Sequence, residues 1–110
     1  MLTDTRPCPR FDLVAPDVTA ATALAAVLAD RTRAGILAIL RDGPHCVCEL
    51  AAALDERSNN VSNHLARLRD AGLVRASRAG ADTRRVYYER DEAACTAALA
   101  QLATLLEPTR

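Results

Sequence analysis

The chain has 110 residues, half of them hydrophobic, with 14 Arg, no Lys and 14 acidic residues for a formal net charge of zero. That length holds one small domain, and with Phe11, Tyr87 and Tyr88 as its aromatics the core must be built from Leu, Val, Ile and Ala, which favours helix packing over a β-sandwich. No uncharged apolar run reaches membrane-spanning length and the start (Asp4, Arg6, Pro7, Pro9, Arg10) does not read as a secretory signal, so a cytoplasmic chain with reduced thiols and no membrane partner is expected.

Residues 1–16 carry three prolines and no period, and are predicted to be a flexible N-terminal arm ahead of a single domain at 17–110. Asp17 is placed to cap a helix to about Leu28, with Val18, Ala21, Leu24, Ala25 and Leu28 on one stripe. Asp30 caps a second, with Ala34, Leu37, Ala38 and Leu40 at helical spacing, ending at the breaker Asp42-Gly43-Pro44. A short third helix spans about Cys46 to Leu54, and polar residues Asp55 to Ser58 make a turn. The fourth starts at Ser58 or Asn59 and runs to Ala71 on the stripe Val61, Leu65 and Leu68, with Gly72 where a helix end wants positive φ. Leu73–Ala79 and Thr83–Glu89 read as a hairpin around Gly80-Ala81-Asp82. Asp91 to about Leu106 is an Ala-rich helix with Leu99, Leu102 and Leu106 in line. The order ααααββα is mainly α with a two-stranded β-wing, the pattern of a winged helix-turn-helix.

Charge is unevenly spread along that order. Residues 57–90 hold eight Arg against Asp70, Asp82 and Glu89, whereas residues 1–56 hold five Arg against eight acids. A basic block in an otherwise acidic chain suits a polyanion partner, and charge alone fits a solvated Arg-rich face equally well; the residues of the fourth helix are what point to double-stranded DNA. Asn is a poor helix former, and a cap uses one at most, so Asn59, Asn60 and Asn63 near one helix start suggest base reading by amides. Ser62 and Arg67 share the face off the apolar stripe, and His64 is either a packing residue or a contact to the DNA backbone. Arg75, Arg78, Arg84 and Arg85 lie on the wing, and Arg78, Arg84 and Arg85 are the candidates there for phosphates or a narrow minor groove.

Of the four cysteines, Cys46 and Cys48 follow Gly43-Pro44-His45 directly. Residues i and i+2 point about 200° apart within a helix, but at a helix start the cap residue is not yet helical and both thiols can face one point. A helix N-terminus also favours the thiolate. Two sulfurs rarely complete a site, and Cys8 on the arm is the candidate third ligand. Three thiolates suit Pb(II), As(III) or Bi(III), and with a fourth ligand Cd(II); Zn(II) normally asks for four ligands, commonly including His. Cys95 is expected to pack as a small apolar residue. Spacing alone leaves a buried structural pair as the competing explanation, and position on the first helix of the helix-turn-helix is what favours a functional pair.

These motifs resemble the ArsR/SmtB family of metal-responsive repressors over about residues 20–90. Leu28-Ala29-Asp30-Arg31-Thr32-Arg33 before Ile36-Leu37 is similar to the family's second-helix signature, which usually has Pro where Arg31 stands. Cys46-Val47-Cys48-Glu49-Leu50 resembles its cysteine metal box, and Asn60-Val61-Ser62-Asn63-His64-Leu65 with Leu68 and Gly72-Leu73-Val74 its recognition helix and exit. The resemblance implies a homodimer through the first and last helices, here with Leu24, Leu28, Leu99, Leu102 and Leu106, that represses without metal and is released by it. In a branch sensing cadmium and lead, an arm supplies cysteine to the pair of the other protomer, usually two cysteines where this chain has Cys8. The arsenic branch often has a third cysteine shortly after the pair, absent here, and the zinc branch uses His and Asp on the last helix, where this chain has Asp91 and no His. The expectation is a Cd(II)- or Pb(II)-released repressor, with an arsenite or antimonite sensor and a thiol-redox or persulfide switch as alternatives. A cytosolic metal-buffering or thiol-redox protein is the alternative of another class, and it leaves the Asn-rich helix unexplained. No Ser/His/Asp arrangement, phosphate loop or carboxylate pair suggests an enzyme or a small organic substrate.

Overall fold

The computed structural model describes residues 15–77 and 84–108. In order these form α1 (Pro16–Leu28), α2 (Arg31–Ile39), a 3₁₀ turn (Leu40–Asp42), β1 (His45–Cys46), α3 (Val47–Leu54), α4 (Ser58–Asp70), β2 (Val74–Ser77), β3 (Tyr87–Arg90) and α5 (Glu92–Leu106). The mainly helical class and the winged helix-turn-helix order agree with the sequence reading. Residues 1–14 of the expected arm, with Cys8, and the hairpin tip at 78–83, with Arg78, lie outside the described residues.

Each helix begins where local chemistry satisfies its free N–H groups. Pro16 takes the first position of α1, ahead of the expected Asp17 cap, because a ring-fixed φ suits a residue whose N–H has no helical partner. The Asp30 carboxylate accepts the N–H groups of Thr32 and Arg33 at 2.8 and 3.1 Å and so starts α2. The Asp91 carboxylate does the same for α5, accepting from Ala94 at 3.0 Å. Gly72, at φ +80°, turns the chain out of α4 into β2.

The core lies where α2, α3 and α4 meet. Ile36, Leu50, Val61, Leu65 and Leu68 are fully buried there, with Leu73 and Val74 closing the side toward the sheet. α2 and α3 approach closely at Gly35, where an added Cβ would sit 2.8 Å from Leu54 Cδ2. α5 packs along α1, and Cys95 is half-buried there, its thiol 3.8 Å from the Leu73 carbonyl oxygen, as expected of a packing cysteine. No described helix is long and apolar enough to cross a membrane.

The sheet corrects the sequence reading in one respect that matters for function. It has three antiparallel strands in the order β1-β3-β2, not two. Cys46, read from sequence as the start of the third helix, pairs instead with Tyr87, and His45 just before it pairs with Tyr88. Cys46 is the N-cap of α3, with extended backbone (φ −88°, ψ 168°), so the residue before the helix is free to join a strand. On the other side of β3, Arg75 is opposite Glu89 and its Nε lies 2.9 Å from that carboxylate, which commits this arginine to the ladder.

Candidate nucleic-acid interface and thiol pair

Asp55, the C-cap of α3, takes a left-handed conformation (φ 53°, ψ 48°) and turns the chain into α4. Arg57 is the N-cap of α4 and makes no side-chain cap bond, so none of the three asparagines is spent on capping. Val61, Leu65 and Leu68 face inward, whereas Asn59, Asn60, Ser62, Asn63 and Arg67 are exposed. Asn60 donates to Glu56 Oε1 at 2.7 Å, a bond across the turn. Amides, a hydroxyl and a guanidinium thus stand on the outer face of a helix whose inner face is fixed by burial. Arg84 is exposed at the approach to β3.

His64 turns the other way. It is half-buried, with Nδ1 3.1 Å from Arg33 Nη1 and Nε2 3.8 Å from Asp30 Oδ1. A guanidinium only donates, so Nδ1 accepts and the ring proton sits on Nε2, toward the carboxylate. Arg33 also donates to the α1 carbonyls of Val27 (2.6 Å) and Ala26 (3.2 Å). Of its two sequence readings, DNA backbone or internal bonding, the structure gives His64 the second: it ties α4 to the end of α1 and the cap of α2. Sequence reasoning missed this network, and its signal was the Asp30–Arg33 pair at cap and N3.

The sulfurs of Cys46 and Cys48 lie 3.0 Å apart. This is the geometry that a non-helical cap residue permits and a mid-helix i, i+2 pair does not. Cys46 is 2% exposed and Cys48 is open to solvent. A capping box holds the turn: the Cys46 N–H donates to Glu49 Oε1 at 3.0 Å while the Glu49 N–H points to the Cys46 sulfur. Burial pushes the Cys46 thiol up, but hydrogen bonds from the Cys48 thiol, the Glu49 N–H and Arg85 outweigh it and hold it below the ordinary cysteine range. Cys48, which donates to Cys46 and is partly desolvated, is pushed up. The surroundings of the pair thus favour charge on the inner sulfur over the outer.

Arg85 was grouped from sequence with the DNA-facing wing cations. Its Nη1 lies instead 3.5 Å from Cys48 Sγ and 3.9 Å from Cys46 Sγ. With Val47, Ser58, Val86 and Tyr88 it walls a cleft of about 420 Å³ in front of the sulfurs. Among the described residues no third His, Cys, Asp or Glu joins the pair, so the donor set there is sulfur only and suits a soft ion.

Comparison with known proteins shows the family. A family model described as bacterial regulatory protein, arsR family, matches residues 30–76, which span the helix-turn-helix and the thiol pair. The arsenical resistance operon repressor of Escherichia coli K12 is 49% identical over 49 residues, 44% of this chain and 42% of that protein. The HTH-type transcriptional regulator CmtR of Mycobacterium tuberculosis H37Rv is 43% identical over 79 residues, 72% of this chain and 64% of that protein. The chain thus spans 42 to 64% of the length of these curated relatives. The crystal structure of the antimony-specific transcriptional repressor AntR matches with a TM-score of 0.59 at 31% identity, covering 96% of each chain. This chain belongs to the ArsR family of bacterial regulatory proteins, a family of transcriptional regulators and not of enzymes.

Proposed function

We propose that the chain is a cytoplasmic repressor that binds double-stranded operator DNA as an apo homodimer and is released when a thiophilic ion is held by Cys8, Cys46 and Cys48. The observation that carries the reading is the convergence of the Cys46 and Cys48 sulfurs at 3.0 Å on the helix that packs under α4. Asn59, Asn63, Ser62 and Arg67 then face the major groove and Arg84 the backbone, with Asn63 as the main base reader. Leu99 and Leu106, 68% and 73% exposed, supply the dimer contact, flanked by the half-buried Leu28 and Leu102. Leu24, at 7%, already belongs to the protomer's own core and has little left to give a partner.

A sulfur-only donor set selects soft ions. Three thiolates with room for a further donor suit Cd(II) and Pb(II), which are the favoured effectors. A trivalent metalloid is the second reading, and what favours it is that two of the relatives are named for arsenical resistance and for antimony specificity. In either case the ion must bind the DNA-free form more tightly, and a coupling of about 1–3 kcal/mol per site is typical. The test pairs two titrations of the full chain. Cd(II), Pb(II), arsenite and antimonite are added while thiolate charge-transfer absorption is followed, and operator binding is measured at fixed salt. The effector raises absorption and releases DNA at the same stoichiometry. Cys46→Ser and Cys48→Ser keep apo binding and lose release, and Cys8→Ser weakens the site. Release that survives both Cys46→Ser and Cys48→Ser removes the assignment.

A further inference from the structure

The thiol pair already has a cation. Arg85 Nη1 reaches both sulfurs, at 3.5 and 3.9 Å, from the residues that lead into β3. The buried sulfur belongs to Cys46, whose backbone pairs with Tyr87 two residues further along that same strand. The cap of α3 and the approach to β3 are therefore joined twice within a few residues, once by the β1–β3 ladder and once by the guanidinium–sulfur contact. Ser58, the first residue of α4, lines the same cleft.

We propose that Arg85 is the internal counter-cation of the thiol pair, that an incoming thiophilic ion displaces it, and that its release from the sulfurs is what carries occupancy of the site to the wing. The inference rests on the reading of Cys46 and Cys48 as effector ligands. Its physical basis is exclusion. A guanidinium within 4 Å of both sulfurs lines the cleft in front of them, and a second cation bonded to the same sulfurs meets both its bulk and its charge. When the sulfurs bond a metal their negative charge is drawn to it, and Arg85 loses its contact with the thiols at the cap of α3. In the apo protein the contact adds to the two-residue β1–β3 ladder in holding the approach to β3 against the cap of α3, and in the loaded protein that contact is gone. The ligand site and the wing thus compete for one residue, which is a differential contact of the kind that coupling between sites requires.

Arg85→Gln and Arg85→Lys test this in the full-length protein, with Cd(II) as the probe ion. The quantity read is the ratio of operator affinity without and with Cd(II), which cancels whatever Arg85 itself gives to DNA. Arg85→Gln is expected to bind Cd(II), seen by thiolate charge-transfer absorption, while the affinity ratio falls at least fivefold toward one. Arg85→Lys, which keeps a cation, restores a measurable part of it. An unchanged ratio in Arg85→Gln overturns the proposal and returns Arg85 to a plain DNA contact. Loss of Cd(II) absorption in the wild-type protein instead overturns the ligand reading, so the two failures are distinct. A second measurement needs no metal. The Arg85 guanidinium resonances of the apo protein are expected to shift both in the Cys46→Ser/Cys48→Ser variant and on Cd(II) addition to wild type. A resonance that stays put in both overturns the proposal.

Discussion

Helices α4 and α5 are of similar length, 13 and 15 residues, yet they are finished to different degrees. α4 buries Val61, Leu65 and Leu68 completely and presents polar side chains outward. α5 has no fully buried residue and exposes Leu99, Leu105 and Leu106. Beside it lies a hollow of about 190 Å³ lined mostly by apolar side chains, among them Leu28, Leu37, Leu99 and Leu102. The difference teaches that α4 is finished within one chain, whereas the α1/α5 layer leaves large apolar side chains uncovered. A helix with an outward face of amides needs water or a polyanion, and one with an outward face of leucines needs another apolar surface.

The comparison is broken most directly through stability. Leu68→Ala removes a fully buried side chain from the α4 stripe and is expected to cost about 2–5 kcal/mol in denaturant unfolding. Leu106→Ala, at an exposed site, is expected to leave the unfolding of an isolated protomer nearly unchanged and to act through association. Equal costs at high dilution would mean that α5 is as finished as α4.

Leu99→Asp sharpens the same contrast. The side chain is largely exposed in one protomer, so the charge does little harm to the fold but stands in the proposed dimer contact. The dimer dissociation constant is expected to rise about 100-fold, equivalent to about 2.7 kcal/mol, by sedimentation at several concentrations. Leu102 is a poorer probe, because it packs against the protomer's core and an Asp there damages both. Next in size is Asn63→Ala on α4, expected to cost about 1–3 kcal/mol on operator DNA and much less on unrelated duplex at the same salt. Equal losses on both would show that α4 holds DNA without reading it.

The sequence displayed what depends on periodicity. The α4 stripe at Val61, Leu65 and Leu68, the cap at Asp30 and the turn at Gly72 follow from local rules that burial then enforces, and they appear in the fold as read. The convergence of Cys46 and Cys48 was legible too, because it follows from the single fact that a cap residue is not helical. What was hidden is tertiary. Nothing local tells that His45-Cys46 will meet Tyr87-Tyr88, since two residues make no period. Nor does a list of wing arginines say that Arg75 will pair in the ladder and Arg85 will turn to the sulfurs. His64 carried both readings until the fold put Arg33 beside it.

The smallest expected effect concerns the seam between the two unlike layers, where Asp30, Arg33 and His64 join α1 and α2 to α4. The Arg33 backbone N–H bonded to Asp30 holds its carboxyl below the ordinary range against a desolvation that pushes it up, and the neighbouring His64 adds to the lowering. A carboxylate whose folded pKa is depressed stabilises the fold above its unfolded value, about 3.9, and loses that contribution as pH falls through the folded value. Asp30→Asn keeps a good cap and removes only the charge. Wild type should therefore melt slightly higher than Asp30→Asn at neutral pH, with the two curves converging as pH drops below about 4. Because Asp30 is solvent-accessible, the gap should also shrink with added salt. A gap that persists unchanged into strong acid would show that the Asp30 charge contributes nothing to the seam and that its role ends with starting α2.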